Sequence, residues 1–154
     1  MKQRYEISIL ILLSLLFLAP IFAKPMLWGE KDWDQHTFYN AVPKSSIAEH
    51  HQFPLWNPYY CGGTVLLANA QSSFLTPFFI PVLLFGEILG MKLQILAYFI
   101  TGIIGMYLLA RKLHIIGSSA LLPPVLFFMS SLYALRIKEG NTTFFPIALL
   151  PFVF

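Results

Sequence analysis

Apolar and polar positions divide the chain into blocks too long and too uniform for a water-soluble core. Ile7 to Ala23 is a run of 17 residues without a charge, preceded by Lys2 and Arg4. That pattern predicts a membrane-inserted helix over 7–23 with its basic N-terminal flank in the cytoplasm. The competing reading is a cleaved leader ending at Ala23, which wants a small residue two positions earlier where Ile21 stands. Residues 24–73 are polar and turn-rich, with Lys24-Pro25, Val42-Pro43, Phe53-Pro54, Asn57-Pro58 and Gly62-Gly63 as punctuation. Within this stretch, Ser45 to Gln52 reads as a short helix opened by a serine cap.

Phe74 to Phe85 is again apolar, but its 12 residues contain Pro77 and Pro81 and stop at Gly86-Glu87. Such a helix covers about 18 Å, short of a hydrocarbon core of about 30 Å. Segment 74–87 is therefore expected to be re-entrant or interfacial, the alternative being a kinked full span running on to Leu89. Residues 88–110 and 115–135 have the length of full spans, the second with an expected kink at Pro123-Pro124. A polar corner, Arg136 to Asn141, precedes a last apolar stretch over 144–154. Its 11 residues rise only about 16 Å as an α-helix, so a longer protein is expected, of which this chain is the N-terminal part.

Composition strengthens the membrane reading. The chain is 57% hydrophobic and 11% charged, against about 45–50% and about 25% in ordinary soluble domains. The expected fold class is an all-α integral membrane protein. In it, a transmembrane helix bundle carries an extracytoplasmic loop, 24–73, bearing short interfacial helices. The ten basic and seven acidic residues are scattered, so no nucleic-acid footprint is indicated. Cys61 stands alone and permits no internal disulfide framework. Basic residues do not decide orientation by count, because a non-crossing 74–87 leaves Lys2, Arg4, Arg111 and Lys112 inside and six others outside. Span length favours the non-crossing arrangement, which also puts the Glu139–Thr143 corner on the side of the long loop. Trp28, Trp33, Trp56, Tyr59 and Tyr60 suit a loop surface resting on lipid headgroups.

Candidate chemistry concentrates in Glu30-Lys31-Asp32-Trp33-Asp34-Gln35-His36. Asp32, Asp34 and His36 within it, two carboxylates and an imidazole near a membrane edge, can supply a general base or hold a cation. An extended backbone would present Asp32, Asp34 and His36 on one face, whereas a helix would swing the two aspartates about 200° apart. A solvated polar linker is the plain alternative. Glu49-His50-His51 offers metal-ligand types that could join Asp34 or His36, but without ligand spacing, and exposed polarity explains it equally. His114 is expected in an interfacial turn. Asn141-Thr142-Thr143 matches a glycan acceptor but adjoins the next membrane segment. No glycine-rich phosphate loop, serine elbow or paired-cysteine pattern occurs.

Three strings carry a resemblance: Asp32-Trp33-Asp34-Gln35-His36; Phe53-Pro54-Leu55-Trp56-Asn57-Pro58-Tyr59-Tyr60-Cys61-Gly62-Gly63; and Leu66-Leu67-Ala68-Asn69-Ala70-Gln71-Ser72. Together they resemble the first external loop of multispanning bacterial membrane glycosyltransferases of the GT-C fold, in the YfhO-like branch. The resemblance runs from about Trp28 onward and covers the N-terminal part of such proteins. It implies an inverting transferase at the outer face of the plasma (inner) membrane, using a polyprenyl-phosphate-linked sugar and an envelope acceptor. It implies Asp32 as base and Asp34 as orienting group or cation ligand. His36, Trp56, Asn57, Asn69, Gln71 and Asn141 would contact substrate. No cofactor is required by it, though a divalent cation is compatible. Two positions depart from the pattern: Lys31 stands where glycine is usual, and Asn141 follows Gly140 where histidine is common. A non-catalytic polytopic protein of the same fold, transporter-like or a scaffold, is the alternative.

Overall fold

Phe99 lies where three apolar helical runs meet. It stacks on Phe17 at 5.4 Å between ring centroids and meets Phe128 and Tyr133 edge-on at 5.6 and 6.0 Å. The computed structural model describes residues 2–27 and 29–154, so Trp28 lies outside the described residues. Among these, three helical stretches are long and apolar enough to cross a membrane. They are α1 (Lys2–Phe22), α4 (Glu87–Lys112), and the stretch made of a 3-10 turn (Gly117–Leu121), α5 (Leu122–Phe128) and α6 (Ser131–Glu139). A further 3-10 helix, Thr142–Phe152, lies along α4.

Helix α4 is the axis. Its inward side chains Met91, Ile95, Tyr98, Phe99, Ile103 and Tyr107 are fully or almost fully buried. Helix α1 touches it along one stripe, Leu10, Ser14 and Leu18, and leaves Leu12, Leu15 and Leu16 exposed. That arrangement suits lipid, which solvates leucine as well as protein does, so association rests on shape and packing. The last 3-10 helix seats Ala148 and Phe152 against Gly102 and Gly105, where α4 has no side chain to hold them off. Pro146 and Pro151 remove amide donors from that helix. At about 2.0 Å per residue its 11 residues cover about 22 Å, more than the same length of α-helix.

Prolines in α5 behave differently from the kink expected of them. Pro123 and Pro124 begin the helix, where a missing N–H removes nothing from the ladder. The break comes instead at Met129-Ser130, with Ser130 extended and its hydroxyl donating to the Phe127 carbonyl at 2.9 Å.

At one end of the bundle the polar segment folds into a cap. Its main element is α2, Trp33–Ala48, which selects the helical alternative from Trp33 onward and replaces the expected short helix from Ser45. Pro43 lies inside α2 rather than in a turn, and cannot donate to the Tyr39 carbonyl one turn earlier. The Ser72 hydroxyl reaches that same carbonyl at 3.4 Å. A two-residue antiparallel ladder, β1 (Trp56–Asn57) with β2 (Thr64–Val65), adds a hairpin that an all-α reading does not contain. A 3-10 turn (Pro77–Phe79) leads into α3 (Ile80–Phe85), which covers about 9 Å and ends at Gly86 with φ 84°. Val82 of α3 lies so close to Gly90 of α4 that a Cβ there would meet its Cα at 2.4 Å. Val42, Leu66, Phe74, Phe79 and Val82 form a second small core, and Lys44 pairs with Glu87 at 2.7 Å.

Trp33 is not at a headgroup surface as expected: it is 3% exposed. Its indole N–H donates to the Ile137 and Lys138 carbonyls, both at 3.1 Å. The ring lies against Gly140, which ends α6 at φ 77°. A Cβ at Gly140 would sit 2.4 Å from Trp33 Cδ1. Gly140→Ala therefore combines left-handed backbone strain with overpacking, and is expected to destabilise the protein by about 2 kcal/mol or more. Thermal melting in detergent measures this; an unchanged midpoint would rule out the packing described.

Candidate functional site

Residues at the start of α2 and the end of α6 build the polar corner. The Asp32 backbone N–H donates to the Glu139 carbonyl at 3.0 Å, and the Trp33 indole adds two bonds one residue on. Asp32 occupies the N-cap position of α2 without a side-chain capping bond, and its carboxylate is exposed. One helical turn later His36 follows on the same face. It is 2% exposed, and its Nδ1 lies 3.0 Å from Thr142 Oγ1. Asn141 is next to that threonine, with its side-chain carbonyl oxygen buried and unpartnered. Around the rim Glu139 pairs with Lys31 at 3.5 Å and with Arg136 at 3.1 Å.

Asp32, His36 and Asn141 thus come together, and Asp34 does not. Because α2 is helical at this point, Asp34 turns away from Asp32 and remains exposed, its Oδ1 accepting the Gln35 amide N–H at 2.8 Å. Carboxylates in a first turn also suit the positive end of the helix dipole. His36 and Asn57 are buried, Asn57 to 1% exposure, so neither imidazole nor amide offers an open face to a substrate. Asn57 and Asn69 shape the cap instead: their Oδ1 atoms accept the amide N–H of Tyr59 and Gln71, at 3.0 and 2.9 Å, in turns of the Asx kind. Trp56 and Gln71 are exposed on the cap, and no hydrogen bond among the described residues joins them to Asp32. Glu49 accepts from the Ser45 hydroxyl at 2.8 Å, and His50 and His51 are exposed beside it. Among the described residues no group of three His, Cys, Asp or Glu side chains is placed to hold a metal ion, so the grouping of Glu49-His50-His51 with Asp34 or His36 does not form.

A buried polar chain continues from this corner into the bundle. Asn40 Nδ2 donates to the His36 carbonyl at 2.9 Å, Ser73 Oγ to Asn40 Oδ1 at 3.3 Å, and Gln94 Nε2 to Ser73 Oγ at 2.7 Å. Thr142, Asn40 and Ser73 are absent from the sequence-based candidates. Lys92 and Gln94 interrupt the apolar run 88–110, and such a residue in a membrane helix is a functional candidate by default. Thr142 had no such signal, since its partner His36 lies 106 positions away.

Comparison with protein families, curated proteins and solved structures gives no match. The functional reading therefore rests on the geometry of the corner and on the resemblance carried by the loop strings.

Burial holds the His36 imidazole below its ordinary value near 6.5, and the Asp32 carboxylate opposes this in part. The folded protein thus resists taking a proton that the unfolded chain accepts. Between the lowered value and about 6.5 the unfolded state binds more protons, so stability is present above that window and falls as pH drops through it. A melting midpoint lower at pH 5.5 than at pH 7.5 is expected, with His36→Gln reducing the difference. An undiminished difference in the variant would assign the pH dependence to other groups.

Proposed function

We propose that this chain forms part of a membrane glycosyltransferase that takes a sugar from a polyprenyl-phosphate donor at the outer face of the membrane. The observation that carries the reading is the exposed Asp32 carboxylate at the rim of a corner whose floor is the buried His36–Thr142 pair. The likeness of the 32–36, 53–63 and 66–72 strings to the first external loop of GT-C enzymes supplies the substrate class. In this reading the cap and the Glu139–Thr143 corner face outward, and the donor arrives laterally from the bilayer.

The step needs one base. Asp32 accepts the proton of the acceptor hydroxyl as its oxygen bonds to the anomeric carbon. The bond from that carbon to the phosphate oxygen breaks, its electron pair leaves with the lipid phosphate, and configuration inverts. His36 is a positioning residue, tying α2 to Thr142 rather than touching sugar. The free Asn141 oxygen, once its side chain turns outward, is an acceptor for a sugar hydroxyl. Lys31 and Asn141, which stand where the related enzymes carry glycine and histidine, favour the second reading, a non-catalytic membrane protein of the same fold. Lys31 here pairs with Glu139 at the rim of the corner.

Sugar transfer to the cell envelope separates the two. Asp32→Ala is expected to reduce transfer by about 100-fold or more, the usual scale for losing a general base. Asp34→Ala, whose carboxylate turns away, is expected to cost much less. Unchanged transfer in the double variant would sink the catalytic assignment and leave the non-catalytic one.

A further inference from the structure

Lys92 is the most deeply buried cation among the described residues, at 3% exposure. It sits near the start of α4, and its Nζ donates to the Lys24 carbonyl at 2.6 Å and the Leu27 carbonyl at 2.7 Å. An ammonium group has three N–H donors, and among the described residues two of them find an acceptor. No ion pair among the described residues includes Lys92. Carbonyl dipoles offset part of a buried charge, but no full counter-charge stands against it among the described residues, and an uncompensated buried ion is costly.

The same side chain lines a pocket of about 490 Å³ between the end of α1, the start of α4 and the last turn of α6. Its walls are apolar at Ile21, Trp33 and Ile137, and Lys24 and Lys138 stand at the mouth. Among the described residues neither of these lysines is ion-paired, and Glu30 is the one carboxylate in the lining. The volume lies in the range of sites for small ligands. The place is the level at which an apolar helix ends and polar chain begins, where lipid headgroups sit. Basic pockets between membrane helices are suited to anionic headgroups.

We propose that this pocket binds the phosphate of an anionic lipid, with Lys92 as the buried contact, Lys24 and Lys138 closing over the headgroup, and the lipid chain lying along α1. The pocket is argued from its own lining, which does not include Asp32, and only the isoprenoid-carrier outcome rests on the sugar-transfer reading. The phosphate can come from a bilayer phospholipid or from an isoprenoid carrier.

Binding to the full chain, purified in detergent, can be measured by native mass spectrometry. The probes are a phosphatidylglycerol, a phosphatidylcholine and a short isoprenyl monophosphate. At least one of the two anionic lipids is expected to bind more tightly than the zwitterionic one, and Lys92→Gln is expected to weaken it about tenfold or more, a change of about 1.4 kcal/mol. Binding of phosphatidylglycerol alone assigns the site to bilayer lipid, and of isoprenyl phosphate alone to a carrier. Binding of both assigns it to the phosphate itself. Should Lys92→Gln fail to fold, the pair Lys24→Gln and Lys138→Gln, both exposed, decides the matter with the same expected loss. Equal binding of phosphatidylcholine, no binding of either anionic lipid, or unchanged affinity in the deciding variant would overturn the proposal.

Discussion

Trp33 joins the two ends of the fold that matter most for any chemistry. Its indole N–H reaches carbonyls 104 and 105 positions away, and its ring fills the space that Gly140 leaves by having no side chain. The last carbonyls of a helix lack partners inside that helix. Here two carbonyls near the end of α6 gain a donor from another element, while Gly140 in the left-handed region turns the chain toward Thr142. The Asp32 amide adds its own bond to the Glu139 carbonyl. Once these contacts form, the start of α2 has one place to be. His36 then lies on Thr142, and the Asp32 carboxylate lies at the rim.

From that anchor the polar chain through Asn40, Ser73 and Gln94 carries hydrogen bonds from the cap into the bundle. Such groups are costly beside lipid unless they are partnered. Several buried polar atoms nonetheless lack partners among the described residues, including Thr37 Oγ1, Gln94 Oε1, Arg136 Nε and Asn141 Oδ1. Arg136 and Asn141 lie at the corner itself, and Gln94 ends the polar chain that leads from it. Buried polar atoms left free near one site are what a water-filled or ligand-filled cavity would use. Lys92 belongs to the same end of the molecule, but opens to the other side of Trp33, toward α1.

The bundle beneath needs little specificity. Helix α4 presents aromatic residues inward and glycines at its close contacts, and α1 leans on it along Leu10, Ser14 and Leu18. At the end opposite the cap, Tyr107 bonds to Glu6, and Lys112 bonds to the carbonyl of Phe154. Helices α1 and α4 are thus pinned at both ends, by Glu6–Tyr107 and by the Lys92 bonds to Lys24 and Leu27.

Long-range pairing marks the boundary between what sequence and tertiary structure each decided. The apolar runs at 7–23, 88–110 and 115–135 fall in the range of about 17–25 residues that a membrane span demands, and that requirement is local, so helical membrane character was legible from sequence. The shortness of α3 was legible for the same reason, and so was the concentration of carboxylates and imidazole at 30–36. What sequence could not decide was the backbone at Asp32–His36. Alternating polar residues suit an extended strand as well as the first turn of a helix, and here the Trp33 contacts with α6 selected the helix. That choice separated Asp34 from Asp32 and buried His36. Pro43 likewise reads as a turn, until Ser72 is seen to bond the carbonyl that proline leaves free. Residues that meet across about a hundred positions leave no mark on periodicity. The membrane was therefore written in the chain, while the corner was made by the contacts of Trp33.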